Sequence, residues 1–138
     1  TDLVVEELQV TCTPVSVGNP HAVLFVDDID KVPLTTLGPK LERHTAFPDG
    51  VNVEFVQVLG NNALRMRVWE RGSGVTMACG TGACASVMAA ISKNYCCYDA
   101  PVAVHLDGGT LVIRIASDNT VTMTGPAEIV YEGETKLC

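Results

Sequence analysis

The segment that most constrains the fold is 80-GTGACASVMAAISKN-94, which has helical composition and no continuous polar face. A surface helix shows an apolar stripe on one side and charge on the other. This one is small and apolar almost all round until Ser92 and Lys93, so it must be covered on all sides. Its small side chains allow a sheet to approach closely. The chain is 138 residues long, matching one domain of ordinary size that buries roughly 68% of its unfolded surface.

The remaining sequence reads mostly as strands. Residues 3–17 give two short extended runs, and 21-HAVLFVDD-28 gives a third. The Pro- and Gly-broken segment 33-PLTTLGPKLERHTAF-47 follows, and its second half is expected to form a short helix begun by Pro39. Residues 51-VNVEFVQVLG-60 alternate apolar and polar and turn at Gly60-Asn61-Asn62 into 63-ALRMRVWE-70, a hairpin signal. After the apolar helix come 101-PVAVHL-106, 110-TLVIRIA-116, 120-TVTMT-124 and 127-AEIVY-131, separated by turn residues. No linker, repeat or low-complexity tract divides the chain. Hairpins around one helix predict an α+β domain, a mostly antiparallel sheet curled around one central buried helix, and not alternating βαβ units.

Composition narrows the function. A hydrophobic fraction of 47% with 18% charged residues excludes a disordered chain, and no apolar run reaches membrane-spanning length. The formal charge of −7 leaves no basic stripe, so neither nucleic acid nor membrane is an expected partner. Thr1 in place of an initiator methionine points to a fragment or a processed product. The six cysteines (Cys12, Cys79, Cys84, Cys96, Cys97 and Cys138) lack paired zinc spacing. With no secretory leader they are read as reduced cytoplasmic thiols, and no metal site is expected, even from Cys96-Cys97 with His105.

Cys79 differs from the other five. It precedes Gly80-Thr81-Gly82 at the mouth of the apolar helix. First-turn amides lack intrahelical partners and carry the positive end of the helix dipole, so they bind anions such as carboxylates. Glycines there admit a ligand to bare backbone. A thiol at such an end is biased toward thiolate. Cys79 is therefore either a nucleophile or proton-transfer group beside an anion cradle, or a small residue packed at a helix cap; position alone leaves both open. Gly80 to Ala85 also fits the G-x-G-x-x-A dinucleotide fingerprint. That motif needs a buried strand running directly into the glycines, whereas 70-ERGSGVTMAC-79 is polar and glycine-broken, so the match is read as accidental.

Four segments in order, 18-GNPHAVLF-25, 51-VNVEF-55, 67-RVWERGSG-74 and 78-ACGTGACA-85, resemble the C-terminal half of the diaminopimelate epimerase family. The resemblance implies one half of a two-domain, cofactor-independent amino-acid epimerase with its active site in the cleft between two similar halves. It implies that Cys79 is one of two catalytic cysteines acting on opposite faces of the substrate α-carbon. By the same resemblance Gly80 and Thr81 supply backbone donors for the α-carboxylate. Asn19, Asn52, Glu70 and Arg71 bind the rest of the substrate, and His21 and Glu70 tune the thiol pKa values. No cofactor is implied. The implied partners are diaminopimelate, the N-terminal half of the enzyme that would carry the other cysteine in a Cys-Gly-Asn-Gly setting, and a second copy in a homodimer.

Chemistry agrees with those roles. A proton beside a carboxylate is weakly acidic, so without pyridoxal phosphate fixed donors must stabilise the developing charge. Neutral amides with an Arg–carboxylate pair suit a zwitterionic amino-acid end. By the resemblance, Val75 stands where family members commonly carry an acidic residue. Cys84, five residues and about 500° further along the helix, faces away from Cys79. Two alternatives stay open: a half-domain that binds a small molecule or dimerises without turnover, and a proline-racemase-like isomerase.

Overall fold

A computed structural model describes residues 2–5, 8–16, 19–60, 62–71, 74–76, 80–124 and 132–136, with side chains described over 12–16, 19–60, 62–71 and 80–124. Within these residues the chain forms eleven strands, two α-helices and one 3-10 turn. Strands β1 (Asp2–Val5) and β2 (Leu8–Thr11) make a separate antiparallel ribbon. The other nine form one mixed sheet: β3 (Thr13–Ser16), β4 (Pro20–Phe25), β5 (Asn52–Gly60), β6 (Ala63–Glu70), β7 (Gly74–Thr76), β8 (Val102–Leu106), β9 (Gly109–Ile115), β10 (Thr120–Thr124) and β11 (Glu132–Lys136). Its order is β11-β10-β9-β8-β6-β5-β4-β3, with β7 paired to β6 off this path.

The α+β class holds, and most neighbours are antiparallel, but two pairs, β4–β5 and β6–β8, are parallel. This corrects the expectation that crossover units would be absent. Each parallel pair spans a helix: the 3-10 turn Ile29–Lys31 and α1 (Leu34–Glu42) connect β4 to β5, and α2 (Gly80–Ser92) lies between β6 and β8. Hairpin signals in the turns gave no sign of these long-range pairings. The dinucleotide reading still fails. The strand before the glycines, β7, is three residues long and pairs antiparallel with β6.

Period-2 alternation divides the sheet into two faces. On one face Val23, Val56, Leu64, Met66 and Val68 join α2 residues Ala83, Ala85, Val87, Ala89 and Ala90 in the larger core cluster. Nine of the thirteen residues of α2 are buried, and the helix packs on β3, β4, β5, β6, β8 and β9. Its buried Ser86 hydroxyl is satisfied by the Gly82 carbonyl at 2.8 Å. On the other face Ala22, Leu24, Val53 and Phe55 meet Leu34 and Leu41 of α1.

Helix α1 corrects the expected start at Pro39. It begins at Leu34 after Pro33 and carries Pro39 in its interior. Leu34, Gly38 and Leu41, on one helical stripe, are buried, and this packing holds the first turns helical despite the N–H missing at Pro39. Gly38 is required there: an added Cβ would lie 2.7 Å from Cβ and Cγ of Trp69 on β6. The 51–70 hairpin is as predicted, with a register shift between Val58 and Gly60 and a positive φ at Asn62. Strands β8, β9 and β10 follow the predicted runs to within a few residues. The run 127–131 lies outside the described residues. Strand β11, polar throughout as EGETK, was not anticipated because nothing in its sequence alternates.

Candidate active site

Strands β4 and β5 start side by side, in parallel, with His21 opposite Asn52 and Val23 opposite Glu54. Because His21 shares parity with Val23, and Asn52 and Glu54 share parity with Val56, all three polar side chains belong to the α2 face. Glu70, in phase with Met66 and Val68 at the end of antiparallel β6, belongs to the same face. The ends of three strands therefore converge: the starts of β4 and β5 and the finish of β6.

Hydrogen bonds lock this convergence. The Arg71 backbone N–H donates to Oδ1 of Asn52 at 2.7 Å. The Asn52 amide donates in turn to the Pro20 carbonyl at 3.3 Å. One buried side chain thus ties the exit of β6 to the entry of β4. The Arg71 guanidinium donates to the Asp49 carbonyl at 3.2 Å. Its stem passes over Gly50, which has a φ of +81° and where a Cβ would lie 2.8 Å from Cδ of Arg71. Arg71 itself is exposed and borders an open cleft with Glu42, His44, Asp49 and Gly50.

Beneath this lies a buried acid–imidazole pair. Nδ1 of His21 is hydrogen-bonded to Oε1 of Glu54, and both side chains are fully buried. Nε2 of His21 faces Oδ1 of Asn19 at 3.1 Å. Oε2 of Glu54 is buried without a hydrogen-bond partner among the described residues. Burial pushes the His21 pKa down to about 4, and the Arg71 charge adds to the effect. Burial also pushes the Glu54 carboxyl well above its usual range, with the Glu70 charge acting in the same direction. Both shifts favour the uncharged partner.

Of the residues named from sequence, the structure brings together Asn19, His21, Asn52, Glu70 and Arg71. Gly80 and Thr81 open α2, Gly80 half-buried and Thr81 exposed. A Cβ at Gly80 would sit 3.3 Å from the end of Met123, tighter than ordinary packing. Cys79 lies outside the described residues, and so does the side chain of Val75. Glu54 was missed. In 51-VNVEFVQVLG-60 a polar residue at an alternate position reads as solvent-facing, and only the partner strand reveals His21 beside it. An apolar hollow lined by Leu24, Phe25, Val32, Leu37 and Phe55 lies at the far end of β4 and contains no predicted site residue. Among the described residues no three His, Cys, Asp or Glu side chains gather in a way that could hold a metal. Cys12, Cys84 and Cys96 are buried and Cys97 is exposed; the Cys96 thiol is pushed up by burial and by Cys97. No helix among the described residues is long and apolar enough to cross a membrane.

The fold is of the α+β class, and it brings a histidine, two asparagines, a glutamate and an arginine to converging strand ends. The model of the diaminopimelate epimerase family matches residues 13–130, and the chain belongs to that family. It is 57% identical over 122 residues to a diaminopimelate epimerase of Bacillus licheniformis, covering 88% of this chain and 43% of that protein. With one from Bacillus cytotoxicus it shares 58% over 121 residues, 88% of this chain and 42% of the relative. The chain therefore spans less than half the length of the curated relatives it matches. Two solved structures share the fold at low identity. A phenazine biosynthesis protein of the PhzF family from Bacillus anthracis has a TM-score of 0.57 at 15% identity, over 83% of this chain and 38% of that one. One from Enterococcus faecalis has 0.59 at 13%, over 83% and 42%.

Proposed function

We propose that this chain supplies one half of a pyridoxal-phosphate-independent, cytoplasmic epimerase that interconverts LL- and meso-diaminopimelate. The observation that carries the reading is that Asn19, His21, Asn52, Glu70 and Arg71 meet where β4 and β5 start and β6 ends, in a chain whose family match covers that whole segment.

In this reading the substrate's reacting end lies at the start of α2. Backbone donors at Gly80 and Thr81 hold its α-carboxylate, aided by the positive end of the helix. That carboxylate is where negative charge grows as the α-proton leaves, so donors fixed there act mainly in the transition state. Cys79 exchanges one proton with the α-carbon: as thiolate it takes the proton from one face, as thiol it returns one. A second cysteine, from the other half of the site, performs the complementary step on the opposite face, and inversion follows from delivery opposite to removal. A thiol is suited to both directions because its pKa lies nearer neutrality than that of any hydroxyl.

The distal end of the substrate is itself an amino acid. Arg71 supplies a charged fork for its carboxylate and Glu70 an acceptor for its ammonium group, with Asn19 adding a neutral amide. Asn52, a substrate ligand by resemblance, already spends its carbonyl and one amide proton on Arg71 and Pro20, so its main contribution is to hold Arg71 at the rim. His21, buried and uncharged, acts through Asn19 as a fixed hydrogen-bonding group.

Alkylation with peptide mapping, with and without diaminopimelate, tests the reading in the intact protein. Cys79 is expected to label faster than Cys97, the exposed thiol, and to be protected by substrate. Equal labelling of the two with no effect of substrate overturns it.

A further inference from the structure

We infer that Glu54 is a positioning residue: a buried, protonated carboxylic acid that donates its proton to Nδ1 of His21, fixing the ring as the Nε2–H tautomer aimed at Asn19. The inference deepens the epimerase reading and rests on it for its catalytic consequence, but not for its chemistry.

The geometry leaves few arrangements. A neutral imidazole has one donor and one acceptor nitrogen. Nε2 faces Oδ1 of Asn19, an atom that only accepts, so Nε2 must carry the hydrogen. Nδ1 is then the acceptor, and its hydrogen-bond partner among the described residues, Oε1 of Glu54, must carry a proton. The chain runs from the Glu54 hydroxyl to Nδ1, and from Nε2–H to Asn19, each link polarising the next.

The alternative is an imidazolium beside a carboxylate. That places two ions where both side chains are fully buried, at a desolvation cost that a single contact seldom offsets. It also leaves Oε2, carrying half of the negative charge, without a donor among the described residues. In the neutral acid Oε2 is an ordinary carbonyl, for which a missing partner costs much less. The charged groups nearest the pair agree: Arg71 disfavours a positive His21, and Glu70 disfavours a negative Glu54. The function follows from direction. With the tautomer fixed, Asn19 receives a hydrogen bond on its carbonyl and turns its amide donors outward, toward the proposed substrate.

The test uses the intact protein and two substitutions. Glu54→Gln keeps the shape and offers an amide donor to Nδ1. Glu54→Leu keeps the bulk and offers none. Long-range proton–nitrogen spectra of the His21 ring at neutral pH should show one protonated nitrogen, Nε2, in the wild type and in Glu54→Gln. An infrared carboxylic-acid band should be present in the wild type and lost in Glu54→Gln. Turnover of Glu54→Gln should stay within severalfold of wild type. In Glu54→Leu it should fall at least tenfold, and the Nε2–H signal should give way to mixed tautomers. A doubly protonated ring or an Nδ1–H tautomer in the wild type overturns the inference. So does a Glu54→Gln ring spectrum that matches that of Glu54→Leu. Absence of turnover in the wild type overturns the epimerase reading instead, while the ring spectrum still decides the state of Glu54.

Discussion

Replacing Glu54 by glutamine should change how stability depends on pH, and the size of the change follows from counting protons. Unfolded, histidine titrates near 6.5 and glutamate near 4.5. Folded, His21 is depressed to about 4 and Glu54 is raised well above 4.5, chiefly by burial in each case. The depressed histidine contributes stability that is present above pH 6.5 and lost as pH falls toward about 4. The raised carboxyl contributes stability that is present below pH 4.5 and lost as pH rises toward its folded pKa. Above pH 4.5, for as long as folded Glu54 keeps its proton, the folded state holds a proton that the unfolded carboxyl has lost, and this opposes the contribution of the histidine. Stability of the wild type therefore rises less steeply with pH than the histidine alone would make it, until Glu54 itself titrates.

Glutamine removes one of the two titrations. Stability of Glu54→Gln should rise from about pH 4 to 6.5 and then level off. The difference between variant and wild type therefore grows from pH 4.5 upward, by about 1.4 kcal/mol per unit while folded Glu54 stays protonated, and levels off once it titrates. Urea unfolding followed by circular dichroism at a series of pH values measures it, and every other titrating group cancels in the difference. A difference independent of pH would refute the reasoning, because it would mean that Glu54 loses its proton at the same pH folded and unfolded.

Two further substitutions probe what holds the site. Gly50→Ala meets both a positive φ and the Arg71 stem; it should cost about 1–2 kcal/mol in unfolding free energy and raise KM for diaminopimelate more than it lowers kcat. Phe55→Ala, fully buried between β5 and α1, should cost about 3–5 kcal/mol in denaturant unfolding, since α1 leaves little freedom for the cavity to collapse.

Local chemistry was the legible part of this sequence. The all-apolar helix, the Gly60–Asn62 hairpin and the 101–124 strands are each specified by residues within a turn or two of one another. The parallel pairings of β4 with β5 and β6 with β8 join strands separated by helices, and no short-range pattern records them. Pro39 misled because its local preference to begin a helix is overridden by burial of Leu34, Gly38 and Leu41. Asn19, His21, Asn52, Glu70 and Arg71, named from motif, lie together at the strand ends. Asn52 proved to be bonded within the protein on both ends of its amide. Glu54 stayed hidden because alternation marks which residues share a face, not whether that face is dry. A buried acid shows itself only once its neighbour across the sheet is known.

The central claim is that this chain contributes one of two opposed proton-transfer groups. Incubation with LL-diaminopimelate in deuterated water tests it most directly, reading deuterium at the α-carbon and the appearance of the meso isomer. The 138-residue chain alone should give neither. Joined to a half that carries a Cys-Gly-Asn-Gly element, it should give both, and Cys79→Ser in that assembly should abolish them. Robust turnover by the isolated, monomeric chain would contradict the account. So would the absence of exchange in the folded assembly, which would leave a half-domain that holds a ligand without acting on it.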